Sequence, residues 1–166
     1  MLTVQNCERD DICAEGTPTT PRLLIEFYDA TSPEDLKSVP RLTLYGEGLV
    51  TDPIESSDAT LIFNSNANAA ELPLLVGPEN ETTTSRFILE QSSNLRIDET
   101  GDSNVDIIEI SYNSEFQYVS RACGFKSIFT NLSISLDNDG DTWISSIDVI
   151  ESTVDNENTV HVQIFH

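Results

Sequence analysis

The chain has 166 residues, of which 29 are Asp or Glu and only 8 are Lys or Arg, so its formal charge is −21. A charge this negative repels nucleic-acid phosphates, and we expect no nucleic-acid partner. The length suits one domain with a real core, and a hydrophobic fraction of 38% is above that of a disordered chain. No run of about 18 apolar residues occurs, so the sequence predicts no transmembrane helix.

Three cysteines, Cys7, Cys13 and Cys123, leave one thiol to explain in an exported protein. One lipidated cysteine and one disulfide satisfy this count. We assign the lipid to Cys7, because residues 1–6 are interpreted as the remnant of a signal peptide. Cys13 and Cys123 then form the predicted disulfide, which by loop entropy alone contributes roughly 4–5 kcal/mol. A local Cys7–Cys13 pair and three reduced thiols remain as alternatives.

The residues after Cys7 favour export to the cell surface. Glu8, Arg9, Asp10 and Asp11 resemble the short signal that directs lipoproteins of Bacteroidota to the outer face of the outer membrane. The resemblance implies a lipid-anchored protein of the outer membrane that faces the cell exterior, with the periplasmic face as the alternative. We therefore divide the chain into residues 1–20, a signal-peptide remnant, lipid-anchor cysteine and polar tether, and residues 21–166, the folded domain. A charged, frayed N-terminus is the competing interpretation.

Short alternating apolar segments recur from residue 23 to the C-terminus and predict strands. The predicted strands are 23–28, 41–45, 60–63, 72–76, 86–90, 105–112, 115–119, 127–136, 143–150 and 160–164. About nine to ten short strands predict an all-β fold, a single antiparallel β-sandwich or partly open barrel. Ser32 followed by Pro33 and two acids resembles a helix start, which predicts at most one short helical turn near residues 33–38.

The alternation also predicts faces and turns. Ile128, Thr130, Leu132, Ile134 and Leu136 are expected on one face of their strand. In the last strand the valines and Ile164 are expected to face inward and His161 outward. Asn113-Ser114 and Asp139-Gly140 are predicted to be tight hairpin turns between neighbouring strands.

No set of residues predicts catalysis. A Ser or Cys nucleophile needs a base beside it, and only His161 and His166 are available. We therefore expect a protein that is not an enzyme and has no cofactor, calcium excepted. Asp137, Asp139 and Asp141 alternate along a short acidic segment, and carboxylates are ligands that Ca²⁺ prefers. A calcium site there is the alternative to a plain turn.

Four aromatic residues are candidates for contact with a partner. Trp143 is the only tryptophan, and Tyr112, Phe116 and Tyr118 lie close together in sequence. Aromatic side chains dominate binding energy when they are exposed at an interface. Core packing for Trp143 and cross-strand packing for the other three are the alternatives.

Four segments resemble an uncharacterised family of Bacteroidota predicted outer-membrane lipoproteins: residues 7–13, 21–29, 118–126 and 162–166. Members of that family tend to be encoded beside a predicted outer-membrane β-barrel protein. The resemblance implies a non-catalytic interaction subunit of an outer-membrane β-barrel complex, with a role in outer-membrane protein assembly. A surface lipoprotein that binds a glycan or calcium is the alternative function.

Overall fold

The computed structural model describes residues 12–17, 19–137 and 139–166. Nine strands and one short helix form the regular structure of these residues. The elements are β1 (Leu23–Tyr28), β2 (Val39–Gly46), β3 (Thr60–Ala67), β4 (Ala69–Leu72), β5 (Thr82–Gln91), α1 (Ser93–Ile97), β6 (Asn104–Ser120), β7 (Gly124–Asp137), β8 (Ser146–Val149) and β9 (Val162–Phe165). None of the helical structure in this part of the chain is long and apolar enough to cross a bilayer.

The strands form two sheets. The smaller sheet has the order β4-β1-β9-β8, and the larger sheet has the order β3-β2-β5-β6-β7. All neighbouring strands are antiparallel except β1 and β9, which run parallel. Both sheets contribute to one core and neither closes into a barrel. The all-β sandwich predicted from the sequence is therefore confirmed, with one parallel pair added.

Alternation explains how the two sheets bury one core. On β1, Leu23, Ile25 and Phe27 are at most 1% exposed, whereas the residues between them are partly exposed. On β6, Ile108 and Ile110 are fully buried from the opposite side. Burying one such side chain stabilises the fold by roughly 1.5–3 kcal/mol. The core lies between the sheets where they overlap.

β6 and β7 form one long hairpin, so the predicted turn at Asn113-Ser114 is wrong. Asn113 pairs with Thr82 on one side and Thr130 on the other, so it continues the strand. The Ser114 hydroxyl accepts a hydrogen bond from the Gly77 backbone N–H at 3.0 Å. These tertiary partners replace the turn that Asn and Ser favour locally. The actual turn is residues 121–123, between Ser120 and Gly124.

A bulge on β7 changes which residues face the core. Ser111 pairs with Ser133, but Asn113 pairs with Thr130, so β7 carries one extra residue at this point. Asn131 has a φ of 56°, the left-handed conformation that Asn tolerates. Phe129 is consequently buried and Thr130 only partly so. The single face predicted for residues 128–136 is therefore wrong on the N-terminal side of the bulge.

Two other predicted connections differ from the structure. The Ser32 region forms a turn, not a helix, because Lys37 N–H donates to the Phe27 carbonyl and Leu36 bridges to Tyr28. The one helix of the described residues is α1. Asp139-Gly140 is not a hairpin turn, because β7 and β8 belong to different sheets. This connection crosses from the larger sheet to the smaller one.

His161 is buried, contrary to the expected outward position. It precedes β9, and its Nδ1 accepts a hydrogen bond from the Leu24 backbone N–H at 3.0 Å. Its Nε2 has no partner among the described residues. Burial lowers the pKa of His161. The side chain therefore acts as a neutral acceptor that ties the start of β9 to β1.

Candidate docking surfaces

Several predicted site residues lie outside the described residues: Cys7, Glu8, Arg9, Asp10 and Asp11. The predicted disulfide partners are described. Cys13 and Cys123 are bonded, with their Cα atoms 4.8 Å apart and a sequence separation of 110. The bond joins the segment before β1 to the β6–β7 turn. Thr20 adds a second contact, since its hydroxyl accepts a hydrogen bond from Ser127 N–H at 3.0 Å.

Two of the three aspartates of the predicted calcium site accept hydrogen bonds from other groups of the protein. Asp137 Oδ2 accepts a hydrogen bond from Arg86 Nη2 at 2.5 Å, and Asp139 Oδ1 accepts one from Asp141 N–H. No group of three or more acidic, His or Cys side chains of residues 12–17, 19–137 and 139–166 is placed to hold an ion. Calcium binding by these residues stays a prediction.

The connection between β7 and β8, which crosses from the larger sheet to the smaller one, is held by a buried carboxylate. Asp106, on β6, is 1% exposed, and its Oδ2 accepts hydrogen bonds from the backbone N–H groups of Trp143 and Ile144 at 3.0 and 2.8 Å. Burial raises the pKa of Asp106, and the nearby charges of Asp139 and Asp141 act in the same direction. Asp106 thus anchors the crossover where it enters the smaller sheet.

Trp143 packs against the core as a partly buried residue, and Tyr112 lies within the core. Trp143 donates a hydrogen bond from Nε1 to the Leu89 carbonyl at 3.3 Å. Tyr112 is 1% exposed, and its hydroxyl donates to the Leu75 carbonyl at 2.8 Å. Burial raises the pKa of Tyr112. The partner-binding prediction is therefore wrong for Tyr112, because a residue this buried is not accessible to a partner.

Phe116 and Tyr118 are exposed, and the structure adds Phe125 to them. β5 pairs with β6 only as far as Asn113, and single bridges then join Ser114 to Glu79 and Phe129 to Val154. Beyond these bridges the β6–β7 hairpin continues as a two-stranded arm. On this arm Tyr118 lies directly opposite Phe125, with ring centroids 5.4 Å apart. Phe116, Tyr118 and Phe125 are 45%, 60% and 67% exposed. We call these three residues the aromatic tip.

A groove opens at the end of the sandwich, between the loop 47–59 and the segment 73–81. It has a volume of about 460 Å³. Leu74 and Phe87 form its buried floor. Its rim carries Leu49, Leu61 and Leu75, which are 69%, 39% and 64% exposed. We call this feature the apolar groove.

Hydroxyl groups hold one wall of the apolar groove in place. The Ser85 hydroxyl bonds to the Tyr112 hydroxyl at 2.6 Å and accepts from Leu75 N–H at 3.3 Å. Tyr112 in turn donates to the Leu75 carbonyl. The backbone N–H and carbonyl of Leu75 are therefore both hydrogen-bonded, by Ser85 and Tyr112, and its exposed side chain is not part of that contact. Two residues further along the chain, Gly77 packs so closely against Thr83 that a Cβ there would overlap Thr83 Oγ1.

Two of the three charged groups that line the apolar groove, Arg86 and Glu47, bind each other, whereas the third, Asp58, forms no ion pair among the described residues. Arg86 donates to Glu47 Oε2 at 2.6 Å, to Glu109 Oε2 at 2.7 Å and to Asp137. These carboxylates raise the pKa of Arg86, which stays fully cationic. Ser85 and Thr84 are likewise hydrogen-bonded within the protein. The groove therefore presents leucine side chains with polar groups that are mostly already occupied.

These features define a class: a two-sheet β-sandwich with an exposed aromatic arm and an open apolar groove. Residues 41–166 match a family of unknown function (DUF6452), and the chain belongs to that family. The match covers both docking surfaces and most of the core. No curated protein and no solved structure matches the chain.

The apolar groove was not predicted from the sequence. Leu49 lies in a loop, Leu61 in a strand and Leu75 after another strand. Each leucine taken alone is typical of a core or loop residue. The one feature of the sequence that points to this region is the apolar segment Leu72–Val76, which is predicted to be a strand. Its C-terminal part, beyond β4, instead forms the groove wall.

Proposed function

We propose that this protein is a lipid-anchored, non-catalytic interaction subunit of an outer-membrane β-barrel complex and that the apolar groove receives the barrel partner. The observation that carries the proposal is the exposed leucine rim of the groove, with Leu49 and Leu75 each more than 60% exposed. Apolar rims of this kind mark contacts with other proteins. The identity of the partner as an outer-membrane barrel rests on the family resemblance of the sequence.

The state of the polar groups favours docking over recognition of a glycan. A small-molecule site combines an apolar wall with convergent polar groups that are free to bind the ligand. In the apolar groove, Arg86 is bonded to three carboxylates and Ser85 to Tyr112. A sugar hydroxyl would have to displace these bonds. A leucine or aromatic side chain of a partner would not.

The membrane part of the proposal concerns Cys7 and residues 8–11. We propose that Cys7 carries the lipid and that Glu8–Asp11 direct the protein to the exterior face of the outer membrane. The intact mass of the protein from native membranes should correspond to a chain that begins at Cys7 with acyl groups attached. An unmodified chain beginning at Met1 would contradict the anchor. Added protease should degrade the protein on intact cells; degradation only after permeabilisation would place it on the periplasmic face.

Affinity purification from native membranes in mild detergent tests the docking function. We expect recovery of a β-barrel protein in about equal amount. A Leu75→Asp variant should lower that recovery about tenfold, because a carboxylate in the apolar contact is desolvated without a partner. Ile150→Asp is the matched control, since Ile150 is 56% exposed and lies outside the groove. It should leave the recovery unchanged.

Two results would contradict this function. If the wild-type protein is recovered without an equal amount of a barrel protein, the proposed partner is wrong. If Leu75→Asp and Ile150→Asp lower the recovery of the barrel equally, the groove is not the docking site. Thermal unfolding of both variants shows whether they remain folded, which we expect because both side chains are exposed.

A further inference from the structure

The aromatic tip is exposed because the smaller sheet ends before the arm does. Phe116 and Tyr118 continue the alternation of Ile108, Ile110 and Tyr112 along β6, and so lie on the face that elsewhere is the core. Within the sandwich that face is covered by the other sheet. On the arm the same face is open. An apolar face that the fold itself leaves uncovered calls for an occupant outside the fold.

Cations accompany these aromatic rings. Arg22, Lys37, Arg86 and Arg96 form ion pairs with carboxylates. Among the described residues that leaves Arg41, Arg121 and Lys126 without one. Arg121 is exposed in the turn of the arm, and Lys126 follows Phe125, its ammonium group donating to the Asp155 carbonyl at 2.9 Å. Two of the three unpaired cations therefore border the aromatic tip.

Arg121 and Lys126 are two positive charges on the arm of a chain whose formal charge is −21, and Asp155 and Glu157 lie beside Lys126. Screening at physiological ionic strength limits electrostatic interactions between exposed groups to about 8 Å. Within that range Arg121 and Lys126 act together with their acidic neighbours Asp155 and Glu157, and not with the charge of the whole chain. They are the groups of the arm that would bind lipid phosphates.

The disulfide restricts where the tip can be. Cys13 is bonded to Cys123 in the turn of the arm, and Cys7 lies six residues before Cys13. Six residues span at most roughly 20 Å when extended. A lipid on Cys7 would therefore hold Cys13, and with it the Cys123 end of the arm, within roughly 20 Å of the membrane surface. Ile12, 79% exposed, adds an apolar side chain next to the disulfide.

We propose that the aromatic tip contacts the membrane itself, with Phe116, Tyr118 and Phe125 in the interfacial layer and Arg121 and Lys126 at lipid phosphates. The inference rests on the proposed lipid anchor for the position of the tip. Aromatic rings with polar or cationic neighbours are typical of membrane interfaces. Three side chains on a narrow arm are also far smaller than a stable protein interface, which buries about 1,600 Å². The tip thus adds a direct contact with the bilayer to the lipid attachment at Cys7.

Depth-dependent quenching tests this contact. The full chain carrying Cys7→Ala, which lacks the lipid site, is mixed with vesicles of brominated phosphatidylcholine and phosphatidylglycerol. An indole in a Phe125→Trp variant should be quenched by the bromine atoms. Leu49→Trp is the matched control in the apolar groove and should not be quenched. Trp143 is common to both variants and gives the same background.

Charge reversal at the tip tests the role of the cations. Arg121→Glu with Lys126→Glu should lower vesicle binding about tenfold or more, since each cation near an anionic surface contributes about 1 kcal/mol. Arg41→Glu is the control, because Arg41 is exposed, unpaired and remote from the arm in sequence. It should leave binding unchanged. Binding should also weaken with added salt and in vesicles of phosphatidylcholine alone.

Absence of quenching in Phe125→Trp would overturn the membrane contact. If, in addition, Phe125→Ser removed the barrel from the purified complex, the tip would be a protein contact. The two proposals fail separately. Quenching at the tip without a barrel partner would contradict the docking function alone, and a barrel partner without quenching would contradict the membrane contact alone.

Discussion

The inner and outer halves of β6 have the same alternation but different surroundings. Ile108 and Ile110 are fully buried under the smaller sheet, whereas Phe116 and Tyr118 face the same way and are 45% and 60% exposed. The difference is whether a second layer is present, and alternation carries no information about that. The outer half of β6 therefore keeps an apolar face where no second layer covers it.

The largest effect should follow from shortening a side chain in the inner half. Ile110→Ala removes buried atoms from a side that the smaller sheet covers, and we expect a loss of about 2–5 kcal/mol in the free energy of unfolding. Urea denaturation measures this loss. A loss as small as that of an exposed position would show that the two halves are equally loosely packed, which would break the comparison.

The disulfide should matter next, and mainly for the outer half. Replacing Cys13 and Cys123 by Ser removes a link across 110 residues, with an expected cost of about 2–4 kcal/mol. Hydrogen exchange should rise in the arm more than in the inner half of β6, because β5 still pairs with the inner half. Uniform acceleration along β6 would show that the arm is not a separate unit.

A pH dependence of stability should arise in the smaller sheet, where His161 is buried, and not in the arm. Burial lowers the pKa of His161 in the folded protein below the ordinary value of 6.5. The unfolded chain then binds a proton that the folded chain does not, so stability is present above pH 6.5 and is lost as the pH falls below it. His161→Gln should remove this part of the pH dependence. Because acidification also relieves the repulsion among carboxylates, the difference between wild type and variant is the measurement.

The pH result has a clear counter-outcome. His166 also has its pKa lowered by burial, so some dependence should remain in the variant. With only two histidines in the chain, their ring protons are resolved by NMR and assigned with the variant. If the His161 ring titrates at or above its ordinary pKa, the neutral buried acceptor is wrong.

The smallest effect should come from the aromatic tip. Tyr118→Ala removes one member of the cross-strand pair with Phe125, and we expect a loss below about 1 kcal/mol because both rings are exposed. Urea denaturation of this variant and of Ile110→Ala, measured together, compares their two losses in the free energy of unfolding directly. A loss equal to that of Ile110→Ala would show that the tip belongs to the core.

The alternation of apolar and polar residues, together with the turn residues between the alternating segments, was sufficient to predict the all-β sandwich and most strand positions. Turns predicted from local residue preferences were less reliable wherever residues distant in sequence paired with the turn residues. Asn113 and Ser114 favour a turn locally, yet Thr82, Thr130 and Gly77 satisfy their backbone and hydroxyl groups within a strand. The bulge at Asn131 depends on pairing across two strands, which no local window contains.

The candidate surfaces were predictable only in part. Phe116 and Tyr118 were found as neighbours in sequence, but Phe125 joins them through strand register. The apolar groove combines a loop, a strand and a connection that are far apart in sequence. His161 was misassigned because it precedes β9, where the chain no longer follows the alternation of the strand. Faces can be predicted from periodicity, whereas cavities require the path of the chain.

The bond between Cys13 and Cys123 also determines how the protein carries mechanical load. A pull on any group attached before Cys13 passes through the disulfide into the turn of the β6–β7 hairpin. It thereby bypasses residues 14–22 and does not peel β1 from the smaller sheet. The force is distributed along the longest pair of strands, which also has a neighbour in β5. A tethered domain built this way resists being unravelled from its own point of attachment.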